Sequence, residues 1–164
     1  MADEAPKLIQ IAPKGGEKKD GFNLVTERVV AVNPESKQLE VELLAYDGKT
    51  AIGWCAVAPR GEYVALGRSR VLKPIDAAPV WSVSCLFVAK EHRRRGVSVG
   101  LLKAAVEFVR KQGGEVVEGY PVEPHSETAP PPFIWTGTIS AFERAGFKEA
   151  ARGSPARPIF RCHC

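Results

Sequence analysis

The clearest pattern of apolar and polar positions lies between residues 80 and 114. Residues 80–88 include Trp, Val and Phe and predict a buried strand. A short basic turn follows, and residues 98–112 then carry an apolar stripe at helical spacing: Val99, Leu102, Val106 and Val109. Ser98 is a candidate cap for the start of this helix, and Gly113 can take the left-handed conformation that ends it.

Shorter apolar runs on the N-terminal side predict the first strands of a sheet. Residues 22–32 form one candidate strand. Residues 42–46 and 51–58 predict a β-hairpin. We expect Asp47 and Gly48 at its two central turn positions, because Asp-Gly tolerates the positive φ angles that such turns need.

The C-terminal side predicts the rest of the sheet. A strand over 115–120 follows the long helix, so we expect it to lie parallel to 80–88, joined by a right-handed crossover. Thr138 is a candidate N-cap for a short helix over 139–145. Two final antiparallel strands are predicted at 147–151 and 158–162.

Length and composition indicate one globular domain. The chain of 164 residues is 45% hydrophobic and 26% charged, which suits a packed core. We expect residues 1–20 to form a flexible N-terminal tail and 21–164 to form a single domain. No apolar run approaches the ~20 residues of a membrane span, and the N-terminus lacks the layout of a signal peptide. The expected location is therefore cytoplasmic, with no membrane partner.

The four cysteines suggest neither a disulfide framework nor a metal site. Cys55 and Cys85 lie in apolar strand-like runs, where cysteine acts as a small hydrophobe. Cys162 and Cys164 flank His163, but metal sites need three or four protein ligands and no second pair lies nearby in the sequence. A final strand with a frayed end is favoured, so no metal is expected.

The strand, basic turn and helix together form an arrangement suited to phosphate. Main-chain N–H groups of the turn and of the first helical turn point to one place, and three arginines stand beside it: Arg93, Arg94 and Arg95. A nucleoside-triphosphate loop needs Gly-Lys-Ser/Thr, whereas Gly100 is followed by Leu101. The G-x-G-x-x-G of dinucleotide folds is also missing. The net charge of +4 fits a small anion as well as nucleic acid.

A specific motif narrows this anion site. The turn reads R-x-x-G-x-S at Arg93–Ser98, after a strand that ends Leu86-Phe87-Val88. It resembles motif A of the GNAT superfamily of acyl-CoA-dependent N-acyltransferases, whose consensus is Q/R-x-x-G-x-G/A. The sequence FERAGF at Phe142–Phe147 resembles the family's Y-x-x-x-G-F signature. The order of elements agrees with the family over roughly residues 40–160.

The resemblance implies an α/β (α+β) fold: a mixed, mostly antiparallel twisted sheet flanked by helices. The family's fourth and fifth strands, here 80–88 and 115–120, would form a parallel pair splayed around the acyl-CoA. The helical segment that relatives usually carry between their first two strands is missing or very short here.

The resemblance also implies acetyl-CoA as cosubstrate. Its pyrophosphate would lie on the main-chain N–H groups of residues 94–99. Its pantetheine arm would pair with the main chain of residues 86–88, where an N–H group would stabilise the oxyanion. The cofactor-binding residues expected on this basis are Leu86, Phe87, Val88, Arg93, Arg94, Arg95, Gly96, Val97, Ser98, Val99 and Gly100.

One departure from the family pattern concerns proton transfer. Phe142 stands where many relatives have a tyrosine that protonates the leaving thiolate, and phenylalanine cannot donate a proton. Tyr120 is the best substitute for this acid and Glu118 is a candidate base, because a strand positions both better than a loop would. Weaker candidates for proton transfer are Glu123, His125, Glu127, Thr136, Thr138 and Ser140.

Three functions follow from these observations. The leading hypothesis is an N-acetyltransferase that moves an acetyl group from acetyl-CoA to an amine of an unidentified small-molecule or peptide acceptor, directly in a ternary complex. The alternative is a CoA-binding, non-catalytic sensor or scaffold. A nucleic-acid-binding module on Lys90–Arg95 is disfavoured, because aromatic residues are not interleaved with the basic ones. Family members are often dimers, which leaves a homodimer open.

Overall fold

A computed structural model describes four stretches of the chain: residues 18–19, 22–32, 39–122 and 136–164. The expected N-terminal tail lies outside the described residues except for Lys18–Lys19. Three of the weaker site candidates also lie outside them: Glu123, His125 and Glu127.

The described strands form one eight-stranded sheet. In chain order they are β1 Lys18–Lys19, β2 Phe22–Val32, β3 Leu39–Asp47, β4 Thr50–Pro59, β5 Trp81–Val88, β6 Val116–Gly119, β7 Lys148–Ser154 and β8 Arg157–His163. In space they follow the order β1-β2-β3-β4-β5-β6-β8-β7. Only β5 and β6, among these neighbours, are parallel. The predicted mixed, mostly antiparallel sheet with one parallel pair is confirmed.

Three α-helices connect these strands in the described chain: α1 Val64–Arg68, α2 Val97–Lys111 and α3 Ile139–Arg144. The predicted cap of α3 is confirmed, since Thr138 Oγ1 accepts the N–H of Ala141 at 3.3 Å. The predicted cap of α2 is wrong. Gly96 takes a left-handed conformation at φ 79° and its carbonyl accepts the Gly100 N–H, so the helix begins before Ser98. No described helix is long and apolar enough to cross a membrane.

The hairpin between β3 and β4 is confirmed, but its turn is shifted by one residue. Asp47 pairs with Thr50, so Gly48 and Lys49 occupy the two central positions. Gly48 has a φ of 60°, whereas Lys49 is not among the residues with positive φ. The turn therefore needs one glycine rather than the Asp-Gly pair that we expected.

Helix α2 packs against one face of the sheet and buries the main core. The core includes buried residues of the central strands: Leu43, Cys55, Val83, Leu86 and Val117. Gly53 permits the close approach, because a Cβ there would lie only 3.2 Å from Val97 Cγ1 and 3.3 Å from Leu101 Cδ1. The N-terminus of α2 is thus held tightly against β4.

The parallel pair opens partway along its length. Pairing of β5 with β6 covers Trp81↔Val117 to Val83↔Gly119, although β5 continues to Val88. After β6 the chain departs, and Val122 forms a bridge with Thr138. The opening between residues 85–88 and 120–122 is called the fork below. It is the splayed geometry that the family resemblance predicted.

The link between β2 and β3 is short. Its six residues, 33–38, lie outside the described chain. Between β4 and β5 the chain forms the short helix α1, preceded by a 3-10 turn at Arg60–Glu62. This segment reaches β6 and β8 through Arg60 and Asp76.

Candidate functional site

The basic turn leaves the sheet at the end of β5. Ala89 N–H donates to the Ile52 carbonyl at 2.8 Å, and a 3-10 turn follows at Lys90–His92. Arg94 has a φ of 61°, a left-handed conformation that costs a non-glycine residue energy. Gly96 is also left-handed. Such alternation of backbone conformation turns successive N–H groups toward one concave site, which favours an anion.

The first turn of helix α2 adds three more donors. Because the first intrahelical bond runs from the Gly100 N–H to the Gly96 carbonyl at 3.0 Å, the N–H groups of three residues before it have no helical acceptor: Val97, Ser98 and Val99. The positive end of a 15-residue helix dipole lies at the same point. Turn and helix together therefore form an anion site from main-chain atoms.

The three arginines of the turn have different contacts. Arg93 Nε donates to the Val88 carbonyl at 3.1 Å, which fastens the turn to the end of β5. Arg95 Nη1 lies 2.8 Å from His92 Nδ1 and 3.8 Å from a carboxylate oxygen of Asp47. Arg94 is exposed and has no side-chain partner within the described residues. Arg94 is thus the cation best placed to meet an incoming anion.

The β5 side of the fork presents free main-chain groups. Because Ala89 donates toward β4, the alternation of an antiparallel ladder directs the N–H groups of Leu86 and Val88 to the opposite edge. The β5–β6 pairing has ended by that point. Leu86 is buried, whereas Phe87 is 45% exposed on the face away from α2. The edge of β5 can therefore accept an extended ligand as an added strand.

The other side of the fork begins at Tyr120, whose hydroxyl joins a buried polar cluster around Glu118. Glu118 is 0% exposed and its two oxygens accept three donors: Arg60 Nη1 at 2.7 Å, Tyr120 Oη at 2.8 Å and Arg161 Nε at 2.8 Å. Ser82 Oγ lies 2.8 Å from Tyr120 Oη. The two predicted catalytic residues are therefore in direct contact. Glu118 pairs with Ser82 in the closed part of the β5–β6 ladder, and Tyr120 follows the last pair, where the fork opens.

Burial and charge act together on Tyr120. Burial, and then the neighbouring Glu118 charge, raise the pKa of the Tyr120 phenol well above its ordinary value. The hydrogen bond from Ser82 and the charge of Arg60 act in the opposite direction. Tyr120 is consequently a neutral hydrogen-bond donor at physiological pH.

Phe142 lies in the core rather than in the fork. Its ring is fully buried and packs edge-on against Phe147, with ring centroids 5.0 Å apart. Two of the weaker candidates serve the start of α3, since Thr138 is its N-cap and lies 3.3 Å from Ser140. Thr136 has a buried hydroxyl with no hydrogen-bond partner.

The cysteines form no metal cluster in the described part of the chain. The predicted final strand is confirmed, because Cys162 and His163 belong to β8. The expected fraying of its end is wrong, because the Cys164 N–H continues the pairing by donating to the Glu115 carbonyl at 2.9 Å.

Comparison with known proteins identifies the fold family. The model of the acetyltransferase (GNAT) family matches residues 18–130, which include the basic turn, the fork and the start of α2. The chain belongs to the GNAT family. Its members are acyl-CoA-dependent N-acyltransferases, and the resemblance inferred from the motifs is confirmed. A search of curated proteins finds no significant match.

Several solved structures share the GNAT fold at low sequence identity. The CoA-dependent acyl-homoserine lactone synthase BjaI is 20% identical, with a TM-score of 0.55 over 82% of this chain and 62% of that chain. The aminoglycoside acetyltransferase AAC(6')-Ib, in complex with coenzyme A, is 18% identical, with a TM-score of 0.53 over 76% of this chain and 66% of that chain. The yncA protein of Salmonella typhimurium, with its cofactor acetyl-CoA, is 11% identical, with a TM-score of 0.50 over 76% of this chain and 64% of that chain. The chain therefore spans just under two thirds of the length of these three structures.

Three polar residues around Glu118 and Tyr120 were not predicted from the sequence: Arg60, Ser82 and Arg161. Arg60 comes from the turn after β4, Ser82 from β5 and Arg161 from β8. Ser82 and Arg161 flank Glu118 through the register of the sheet. The sequence held one signal for them: Glu118 lies in an otherwise apolar strand, and a buried carboxylate needs cationic partners.

Proposed function

We propose that this protein is an N-acetyltransferase that moves an acetyl group from acetyl-CoA to the amine of an acceptor, directly in a ternary complex. The observation that carries the proposal is that the free edge of β5 leads directly into the anion site at the start of α2. Acetyl-CoA has a matching layout, with an amide-containing arm that ends in the thioester at one end and a pyrophosphate further along.

Each part of the donor has a candidate partner. The pyrophosphate would accept the N–H groups of the turn and of the first turn of α2, with Arg94 beside them. The pantetheine arm would pair with the edge of β5. The residues proposed to contact acetyl-CoA are Leu86, Phe87, Val88, Arg93, Arg94, Arg95, Gly96, Val97, Ser98, Val99 and Gly100.

The chemistry would use the two sides of the fork. The acceptor amine attacks the thioester carbonyl, and an N–H group of Leu86 or Val88 stabilises the resulting oxyanion. Tyr120 is the proposed acid for the leaving thiolate, with Glu118 as its hydrogen-bonded partner. Glu118 is fully buried and its carboxylate already accepts three hydrogen bonds, so we expect it to act through Tyr120 rather than on the amine.

Two measurements test the proposal. Calorimetry should detect binding of acetyl-CoA and CoA, and a panel of small-molecule and peptide amines should include at least one whose acetylation releases free thiol. The absence of acetyl-CoA binding at millimolar concentration would refute the proposal. The panel should contain cationic and apolar amines in equal number, since the acceptor is the least constrained part of the reaction.

A non-catalytic CoA-binding protein is the second candidate. The observation that favours it is Phe142, which fills the position of the usual acid with a buried ring. Binding of acetyl-CoA without thiol release from any amine, in a panel that a known acetyltransferase turns over, would support this candidate. Transfer to any amine would eliminate it.

A further inference from the structure

The phenol of Tyr120 is held from three directions. Ser82 Oγ approaches from β5 at 2.8 Å, Glu118 Oε1 from β6 at 2.8 Å, and Arg60 Nη1 from the turn after β4 at 2.5 Å. The Arg60 guanidinium also lies 5.8 Å from the centre of the Tyr120 ring. Since each contact comes from a different element, the hydroxyl has one fixed position at the base of the fork.

The charges around this phenol are balanced by a second layer. Arg161 Nε donates to the other oxygen of Glu118 at 2.8 Å, and Arg161 Nη1 lies 2.7 Å from Asp76. Arg60 Nη2 donates to the Leu72 carbonyl, which ties the segment after β4 to the same cluster. The Glu118 charge therefore faces two guanidinium groups, and of these only Arg60 has a described contact with the tyrosine.

Resting on the proposed acetyl transfer, we propose that Ser82 and Arg60 are positioning residues that prepare Tyr120 to protonate the leaving CoA thiolate. In this step the Tyr120 O–H, which otherwise donates to Glu118, turns to the thiolate, the O–H bond breaks and an S–H bond forms. The Ser82 hydroxyl and Arg60 Nη1 donate to the phenolate that remains. The proton released by the acylated nitrogen then restores the phenol, so that amine and acetyl-CoA give amide and CoA thiol with Tyr120 unchanged.

The two donors have a defined chemical task. Burial disfavours the phenolate, and Glu118 disfavours it further because it is an anion that accepts the phenol hydrogen. A hydroxyl and a guanidinium are donors that can follow the proton transfer by turning toward the new negative charge. Without them Glu118 would be the remaining described hydrogen-bond partner of the hydroxyl, and a carboxylate repels a phenolate. Their contribution therefore belongs to the chemical step and not to acetyl-CoA binding.

Ser82→Ala is the sharpest test because it removes one hydroxyl and leaves both arginines in place. Ser84→Ala is the matched control, since it makes the same change two residues along β5. We expect Ser82→Ala to lower kcat about tenfold, as the loss of one hydrogen bond to a developing charge predicts, with the KM for acetyl-CoA within about twofold. Ser84→Ala should leave both constants unchanged. An unchanged kcat in Ser82→Ala would overturn the assignment.

A double-mutant cycle separates positioning from a general structural role. Tyr120→Phe should lower kcat on the order of 100-fold, as the loss of a general acid predicts. Ser82→Ala added to Tyr120→Phe should then cause no further loss, because Ser82 acts through the phenol. Additive losses would overturn the proposal. Arg60→Lys retains a cationic donor and should keep more activity than Arg60→Met, and equal losses would also count against it.

The outcome for the wild-type protein distinguishes this inference from the function on which it rests. If the wild-type protein acetylates no amine, the proposed function fails. If it acetylates an amine while Ser82→Ala matches wild type, only the role of Ser82 and Arg60 fails. Thermal unfolding of each variant identifies any loss of kcat that arises from misfolding.

Discussion

The ring of Phe142 lies where a side chain on Gly119 would begin: its Cζ is 2.6 Å from the position that a Cβ at Gly119 would take. The same ring contacts Phe147 and Phe160 edge-on, with centroids 5.0 and 6.2 Å away. Phe142 therefore acts as a core residue that closes the space between β6 and α3. A glycine in β6 and a phenylalanine in α3 are matched in shape.

This packing predicts the effect of restoring the usual family tyrosine. Phe142→Tyr adds a hydroxyl to a fully enclosed ring, so we expect it to lower the free energy of unfolding by about 1–3 kcal/mol. We expect no gain in kcat. Urea unfolding and steady-state kinetics check both statements. Phe87→Tyr on a 45% exposed ring is the control for stability. A Phe142→Tyr protein that is both as stable and faster would contradict the packing argument.

Substitutions of Arg94 should affect stability and acetyl-CoA binding differently. Its left-handed backbone costs a non-glycine residue about 1–2 kcal/mol, so Arg94→Gly should match or exceed the stability of the wild-type protein. Both Arg94→Gly and Arg94→Ala should weaken acetyl-CoA binding about tenfold, because each loses a charged contact to phosphate. Calorimetry and thermal unfolding measure the two effects. Lys103→Ala, which removes an exposed cation further along α2, should change neither, and a loss of affinity there would point to overall charge as the cause.

Tyr120 should contribute to the dependence of stability on alkaline pH. Its pKa in the folded protein is raised by burial and by Glu118, so the folded state keeps a proton that the unfolded state loses above about pH 10. The stabilisation is full below that pH and falls as the pH rises, by up to about 1.4 kcal/mol per unit. Wild type should therefore lose more free energy of unfolding than Tyr120→Phe between about pH 9 and about pH 11. Parallel losses in the two proteins would exclude this role.

The cysteines should differ in reactivity. Cys55 is buried, and burial, with a further effect of Cys85, raises its pKa to about 12, whereas Cys164 is exposed. Since the thiolate is the reactive form, iodoacetamide should modify Cys164 first and Cys55 only after unfolding. Mass spectrometry of peptides from timed reactions measures the order. Urea-unfolded protein, in which all four should react alike, is the reference. Similar rates for Cys55 and Cys164 in the folded protein would contradict the burial of β4.

The strand, the basic turn and the helix on which the proposed acetyl-CoA site rests could be predicted because their signals are local. The strand over 80–88, the motif R-x-x-G-x-S and the stripe of α2 are adjacent in the chain, and α2 was placed to within one residue at each end. The start of the helix was misplaced because Ser98 is a better cap by residue type, whereas Gly96 is the residue that adopts the required backbone.

The buried polar cluster depends on pairing between distant segments. Arg60, Glu118 and Arg161 meet because β6 lies between β5 and β8 in a particular register, and residue type alone does not specify register. The hairpin turn was misplaced for a related reason: a bulge between Ala45 and Tyr46 alters the pairing near the turn. The burial of Phe142 likewise depends on a glycine in a strand 23 residues earlier.

The free edge of β5 also bears on how the protein behaves when it is concentrated. Unpaired N–H and C=O groups in the middle of a sheet form a template on which a strand from another molecule can add. A bound pantetheine arm would occupy that template. We therefore expect the protein without CoA to self-associate slowly and CoA to suppress this, as light scattering would show. At a CoA concentration about 100 times its Kd, the native state should also gain about 2.7 kcal/mol. The cosubstrate would then protect the fold that binds it.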